Sequence, residues 1–179
     1  MESAVVAAVR TVIEANKVAL VAGLSNGAVP VEIKSITSTL LSVPSAYMAL
    51  VIDCQGVSYR KFSGANATRN AIRVAVYQMT IGLSDYAVMT QGETDFGLTA
   101  HNNFRLVADR IVDLLLQTRF YPDEASKPRF CILMDSADSP RVERENQDIS
   151  DPETGDYILG TTIRFSLVNP NVDREMLYT

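Results

Sequence analysis

Aspartates spaced in threes are the residues of this chain best suited to chemistry. Asp135 and Asp138, then Asp148 and Asp151, repeat one interval, and carboxylate oxygens are what hard cations such as magnesium or calcium take as ligands. The EF-hand pattern is absent, and arginines are interspersed among the acids. A solvated acidic segment is the ordinary reading of the same residues, and a small metal-dependent enzyme using residues 135–156 is the second. The one histidine, His101, would have to serve any Ser-His or Cys-His pair. It stands beside an expected helix start, where a capping or surface role accounts for it. No G-x-G-x-x-G follows a strand, and the Walker, CxxC and HExxH patterns are missing. Cys54 and Cys131 each sit in an apolar, strand-like stretch and read as buried free thiols. The residues therefore point to no catalytic, cofactor-binding or metal site, and to no cofactor.

The acidic segment suggests a different use. Between 135 and 156 there are 8 acids against 2 bases, a net of −6 in a chain whose total is −5. Within it Arg141, Glu143, Arg144 and Glu145 alternate in sign, with Asp148 following. Opposite charges in register suit a contact between subunits, because they penalise a shifted docking. These five residues are the expected subunit-interface or channel-facing positions. An isoelectric point near 4.9 argues against a surface that reads nucleic-acid sequence, which needs clustered Lys and Arg to displace counterions.

The elements that must position these groups follow from periodicity. The 179 residues, 47% hydrophobic and 21% charged, fit one domain able to bury a core without staples. No run approaches the roughly 18 apolar residues of a membrane span, and Met1-Glu2-Ser3 does not open like a signal peptide. Val5, Ala8, Val9, Val12, Ala15, Ala19 and Leu20 recur in steps of three and four, which predicts a helix over 2–22. Asn16 falls inside that stripe and needs a hydrogen-bond partner if buried. Ser25-Asn26-Gly27 is the expected helix stop. Pro30, lacking an amide donor, marks the next extended piece as an edge strand or loop.

Residues 46–53 are almost wholly apolar and predict a strand covered on both faces, with a turn at Gln55-Gly56 and a return strand over 57–62. Residues 71–80 predict another strand, and 84–100 a long functional or mobile loop. The clearest helix is expected over 103–118, capped by Asn102 or Asn103. Its apolar face is Phe104, Val107, Ala108, Ile111, Leu114 and Leu115, with Arg105, Asp109, Arg110, Asp113 and Gln117 facing out. Arg110 is placed to relieve the Asp109–Asp113 repulsion. Residues 129–134 form a short strand and 135–156 a polar excursion anchored by Val142 and Ile149. Residues 157–168 alternate strictly, a long antiparallel strand with one core face. The expectation is an α+β fold, an antiparallel or mixed β-sheet packed by two main helices on one face. It forms a single domain over 1–170, with a tail over 171–179.

That order resembles the tail-terminator, or tail-completion, proteins of tailed bacteriophages. The resemblance covers the chain to about Val168. It is carried by the opening amphipathic helix, the strand AYMALVID, the helix NNFRLVADRIVDLLLQTRFY, the short strand RFCILMDS, the polar excursion and the closing strand DYILGTTIRFSLV. Related neck and head-to-tail connector proteins share much of the plan, and another connector or adaptor of the neck is the alternative within this class. The resemblance implies a structural assembly protein of the virion tail or neck, assembled in the host cytoplasm, with neither active site nor cofactor. It implies a homohexameric ring that caps the tail tube protein and presents its other face to the head connector or adaptor. DNA would pass the channel without sequence-specific binding, and no membrane is involved. Six copies of charge −5 would total −30, and acidic loops near the channel would repel the DNA backbone.

Overall fold

The structure is a computed structural model, described here for residues 4–38, 48–62, 72–88, 94–118, 121–122, 128–133, 141–150 and 156–169. Helix α1 (Ala4–Val21) is followed by β1 (Ser25–Asn26), β2 (Val29–Pro30), β3 (Ile33–Thr37), β4 (Met48–Phe62) and β5 (Ile72–Val88). Helix α2 (Thr94–Gln117) comes next, then β6 (Tyr121–Pro122), β7 (Pro128–Ile132), β8 (Val142–Asn146), β9 (Ile149–Ser150) and β10 (Asp156–Val168). The main sheet runs β3-β4-β5-β10-β7-β6, with β8 and β9 also paired to β10. Only β3 with β4 is parallel, so the sheet is mixed.

Register explains the core. Leu50 and Ile52 of β4 stand opposite Leu83 and Ile81 of β5. On the other side Ile81 and Met79 stand opposite Ile163 and Phe165 of β10. Alternation along each strand turns this one row of side chains to the same face, and all seven are buried. Helix α1 covers the face beside β3, β4 and β6, while α2 lies over β5 and β10 and against α1. The face that α2 contributes is Phe104, Val107, Ala108, Ile111 and Leu115, all fully buried, with Leu114 half-buried at its margin. The expected α+β architecture, two helices on one face of a mixed sheet, is therefore the one observed. The closing strand also has its expected face inward, at Leu159, Thr161, Ile163, Phe165 and Leu167.

Several expectations need correction. The turn at Gln55-Gly56 is a β-bulge inside one continuous strand β4, since the pairing with β5 resumes at Gly56–Gln78 after a one-residue slip. The loop expected over 84–100 is absent in that form: β5 runs on to Val88 and α2 begins at Thr94. Asn102 and Asn103 are then interior helical residues, not caps. Asn103 instead donates to Ser25 O at 2.9 Å and to Asn26 Oδ1 at 2.8 Å, tying α2 to the β1–β2 hairpin.

Helix α1 stops at Gly23, whose φ of 74° is the left-handed conformation a helix end favours. Gly27, with φ of 62°, turns the hairpin instead. Ala15 and Ala19, counted in the apolar stripe, are exposed, whereas Val6 and Ile13 are buried. Asn16 is satisfied by Val12 O at 2.9 Å. Pro30 sits in the small two-stranded ribbon apart from the main sheet, as an edge residue should. The turn at 42–45, the connector 63–70 and the tail 171–179 lie outside the described residues.

Candidate functional site

The excursion after β7 is built, in its described part, as sheet. β8 pairs Val142–Asn146 with Thr161–Phe165 of β10, and β9 pairs Ile149 and Ser150 with Ile158 and Tyr157. Val142 packs against the core, as its apolar character demands. The alternating charges thus stand on a strand and not on a loop. Because side chains alternate across a strand, Arg144 falls on the helix side, where it pairs with Asp109 of α2. Arg141, Glu143 and Glu145 fall on the outer side. Arg141 Nε donates to Glu143 Oε1 at 2.7 Å, and Arg164 of β10 reaches Glu145 at 2.6 Å. That Arg164 contact holds the exposed Glu145 carboxyl below its ordinary titration range.

Between β8 and β9 the chain is clasped to α2. Arg105 lies about three turns into α2 and is only 15% exposed. Its guanidinium donates to Asn146 Oδ1 at 2.5 Å, Thr161 Oγ1 at 2.7 Å and Gly160 O at 3.3 Å, and it forms an ion pair with Asp148. Asp148, 19% exposed, also accepts the Gly160 amide at 3.1 Å. Thr161 is a buried polar residue in an otherwise apolar row. Its hydroxyl accepts from Arg105 and donates to Asn146 Oδ1 at 3.0 Å, so it is satisfied on both counts. Gly160 must be glycine here: a Cβ would run into the carbonyl oxygen of Gln147, whose amide donates to Gly160 O at 2.9 Å.

These contacts correct two expectations. Arg105 faces inward to the clasp, and Arg110 does not relieve Asp109. Arg110 Nη1 donates to Leu20 O and Ala22 O, each at 3.0 Å, closing the carbonyl end of α1. His101 lies inside α2 and so is not its cap; it is partly exposed, and its Nε2 lies 3.7 Å from Asp148 Oδ2 at the rim of the clasp.

Of the carboxylates proposed for metal binding, Asp148 is held by Arg105 and Gly160. Asp135, Asp138 and Asp151 lie outside the described residues. Among the described residues no three His, Cys, Asp or Glu side chains gather as metal ligands. No helix among them is long and apolar enough to cross a membrane. Cys54 and Cys131 are free thiols, part-buried and not fully buried as expected, and burial pushes both above the ordinary thiol range.

On the opposite face of the sheet from the helices, an open cleft of about 690 Å³ is lined by Asp53, Gln78, Thr80, Arg141, Glu143 and Arg164 among others. Its charged groups are of both signs. It gathers the outer side of the β8 strip and the polar rows of β4, β5 and β10 onto one surface.

The chain is thus an α+β protein whose concentrated polar structure is a clasped, charge-lined edge strand. No protein-family model matches it, and no curated protein sequence matches it either. Among solved structures, it is similar to a chain from the virion of a native gene transfer agent particle. The two are 12% identical, with 92% of this chain and 94% of that chain covered, at a TM-score of 0.39.

Proposed function

We propose that this chain is a structural subunit of a phage-like virion, a tail-terminator ring protein that caps the tail tube and joins it to the head connector, leaving a channel for DNA. The observation that carries the reading is the β8 edge. Its inner side is bonded to β10, and its other edge has no strand partner among the described residues. An exposed edge is a template for further pairing unless its side chains restrict what can approach. Here Arg141, Glu143 and Glu145 impose a charge pattern on any partner, and the Arg105–Asp148 clasp holds that pattern in a fixed place. A preorganised, charge-coded edge suits one repeated heterologous contact, the kind that closes a ring. The layout of helices and strands that resembles tail terminators supports the same reading, and so does the capture of Asp148 by Arg105, which takes that carboxylate away from a metal role.

Negative-stain images and native mass spectrometry of the purified chain, alone and with tail tubes, test the proposal. Sixfold rings in either condition are expected. Monomers in both would end it. Heat on titrating magnesium, manganese or calcium into the protein would favour the metal-enzyme reading instead.

A further inference from the structure

Strand β3 covers only the start of β4. Their pairing on β4 runs from Met48 to Val51, while β4 continues to Phe62. Along residues 52–62 no strand lies on that edge among the described residues. The ladder decides which main-chain groups are open there. Ser166 O accepts from the Leu133 amide at 2.8 Å, so Ser166 turns its main-chain groups toward the β7 side. Leu167 then turns toward β5, opposite Tyr77. One residue on, Val76 turns toward β4, opposite Ser58. Val57 and Tyr59 flank Ser58 and therefore hold their amides and carbonyls outward. A row of such groups is a template for another strand.

The side chains of the same two residues are uncovered as well. Val57 is 47% exposed and Tyr59 is 72% exposed, and a spacing of two puts them on one side of the strand. The stretch Val57-Ser58-Tyr59 holds neither proline nor charge, the usual guards of an edge. A strand laid here would make main-chain hydrogen bonds and cover both side chains at once.

We infer that this edge receives residues 171–179 of a second copy of the chain. In an extended chain Val172, Met176 and Tyr178 fall on one side, with the aliphatic stem of Arg174 between them. Apolar and aromatic side chains paired across strands are favourable. The segment follows β10, and within one copy β5 and β4 stand between β10 and the open edge. Extended, residues 171–179 reach about 30 Å, enough to cross to a neighbour. A phosphate backbone only accepts hydrogen bonds and would leave the carbonyls of Val57 and Tyr59 unmet. A tail on one copy and an edge on the next make a heterologous contact, which repeats around a ring. The inference rests on the ring reading and adds a second contact to that of β8.

The test reads association of the full chain by native mass spectrometry, and crosslinking from a photoreactive residue at Tyr59 in mixed heavy- and light-isotope copies. Wild type is expected to crosslink to residues 171–179 of the other copy. Met176→Ser with Tyr178→Ser should weaken association at least about tenfold, whereas Met176→Leu with Tyr178→Phe should retain it. Tyr59→Pro removes an amide that faces outward, so β4 keeps its bonds to β5 while addition is blocked, and the same loss is expected. Unchanged circular dichroism and melting show that each variant is folded. If Tyr59→Pro is not, Tyr59→Ser with Val57→Ser replaces it.

Rings of unaltered affinity in a folded Met176→Ser, Tyr178→Ser variant would overturn this inference and leave the ring reading standing. So would crosslinks confined to one copy or falling outside residues 171–179, or a duplex oligonucleotide taking the edge in place of the tail. Wild-type monomers at the highest soluble concentration and on tail tubes would sink both.

Discussion

Replacing Arg105 by methionine keeps the aliphatic stem and removes the guanidinium. Four contacts go with it: to Asn146, Thr161, Gly160 and Asp148. Hydrogen bonds involving a charged group contribute about 1.5–3 kcal/mol each in favourable settings. Stranding one partner of a fully buried ion pair costs about 3–5 kcal/mol. The clasp lies below that upper limit. Asp148 is 19% exposed, so water reaches it, and it keeps the Gly160 amide at 3.1 Å. Thr161 keeps Asn146. The expected loss is therefore about 2–3 kcal/mol. In a domain of this size that lowers the melting temperature by roughly 5–10 °C.

Urea and thermal unfolding followed by circular dichroism measure the loss. Hydrogen exchange at the Gln147 amide, bonded to Gly160 O, locates it. A double-mutant cycle with Asp148→Asn should return a coupling of about 1 kcal/mol or more. Stability within about 0.5 kcal/mol of wild type, or a loss with Gln147 protection unchanged, would refute the claim that Arg105 fixes the β8 edge.

Other expectations follow from the same structure. Gly160→Ala should destabilise by about 1–3 kcal/mol, because the new methyl meets the Gln147 carbonyl, and should raise exchange in β8 and β9 before it does so in β4. Arg110→Met removes two donors to the α1 carbonyl end and should cost about 1–2 kcal/mol, read by unfolding in urea. Tyr121 is fully buried and donates to Leu115 O at 3.1 Å; burial raises its titration well above the ordinary phenol range. The folded state then holds its proton more tightly than the unfolded chain. That stability is complete below the unfolded value of about 10 and is lost as pH rises past it. Tyr121→Phe should show a shallower alkaline decline in melting temperature than wild type.

Much of the architecture was legible in the sequence because burial leaves a period. The alternation over 157–168 became β10, and the steps of three and four over 104–115 became the buried face of α2. Errors arose where a residue type is ambiguous between two structures. Gln55-Gly56 has turn chemistry, but pairing with β5 on both sides makes a bulge the better solution. Gly82 and Gly97 interrupt the patterns of β5 and α2, yet both elements run through them. The polar run 142–146 shows only Val142 as an apolar anchor, since an edge strand needs to bury little.

The candidate site was half legible for the same reason. Sign alternation singled out Arg141, Glu143, Arg144, Glu145 and Asp148, and the structure brings four of these to one short strand and its approach, with Asp148 just beyond. What the sequence did not show was how they are held. Arg105 lies 36 to 43 residues away and, by helical periodicity, belonged to the solvent face. A guanidinium on a long stem can reach inward from the flank of a helix, and a threonine in the inward row of β10 is the cue the sequence holds for it. Among the described side chains Thr161 is the only polar member of the inward row of β10, and a hydroxyl there requires a partner.

That requirement gives the chain's charges an order. Arg110 closes the end of α1, Arg105 fixes the β8–β9 corner, and Arg144 joins β8 to α2. Each joins elements distant in sequence, so each serves to position the fold. The outer Arg141–Glu143 and Arg164–Glu145 pairs are different. They link residues on the exposed face of one sheet, where isolated pairs add little stability. Their removal should therefore leave melting nearly unchanged while altering association. Glu143→Gln with Glu145→Gln, measured by unfolding and by native mass spectrometry side by side, separates the two roles. A large loss of stability would show that these pairs hold the fold. Unaltered assembly would show that the β8 edge is not the contact.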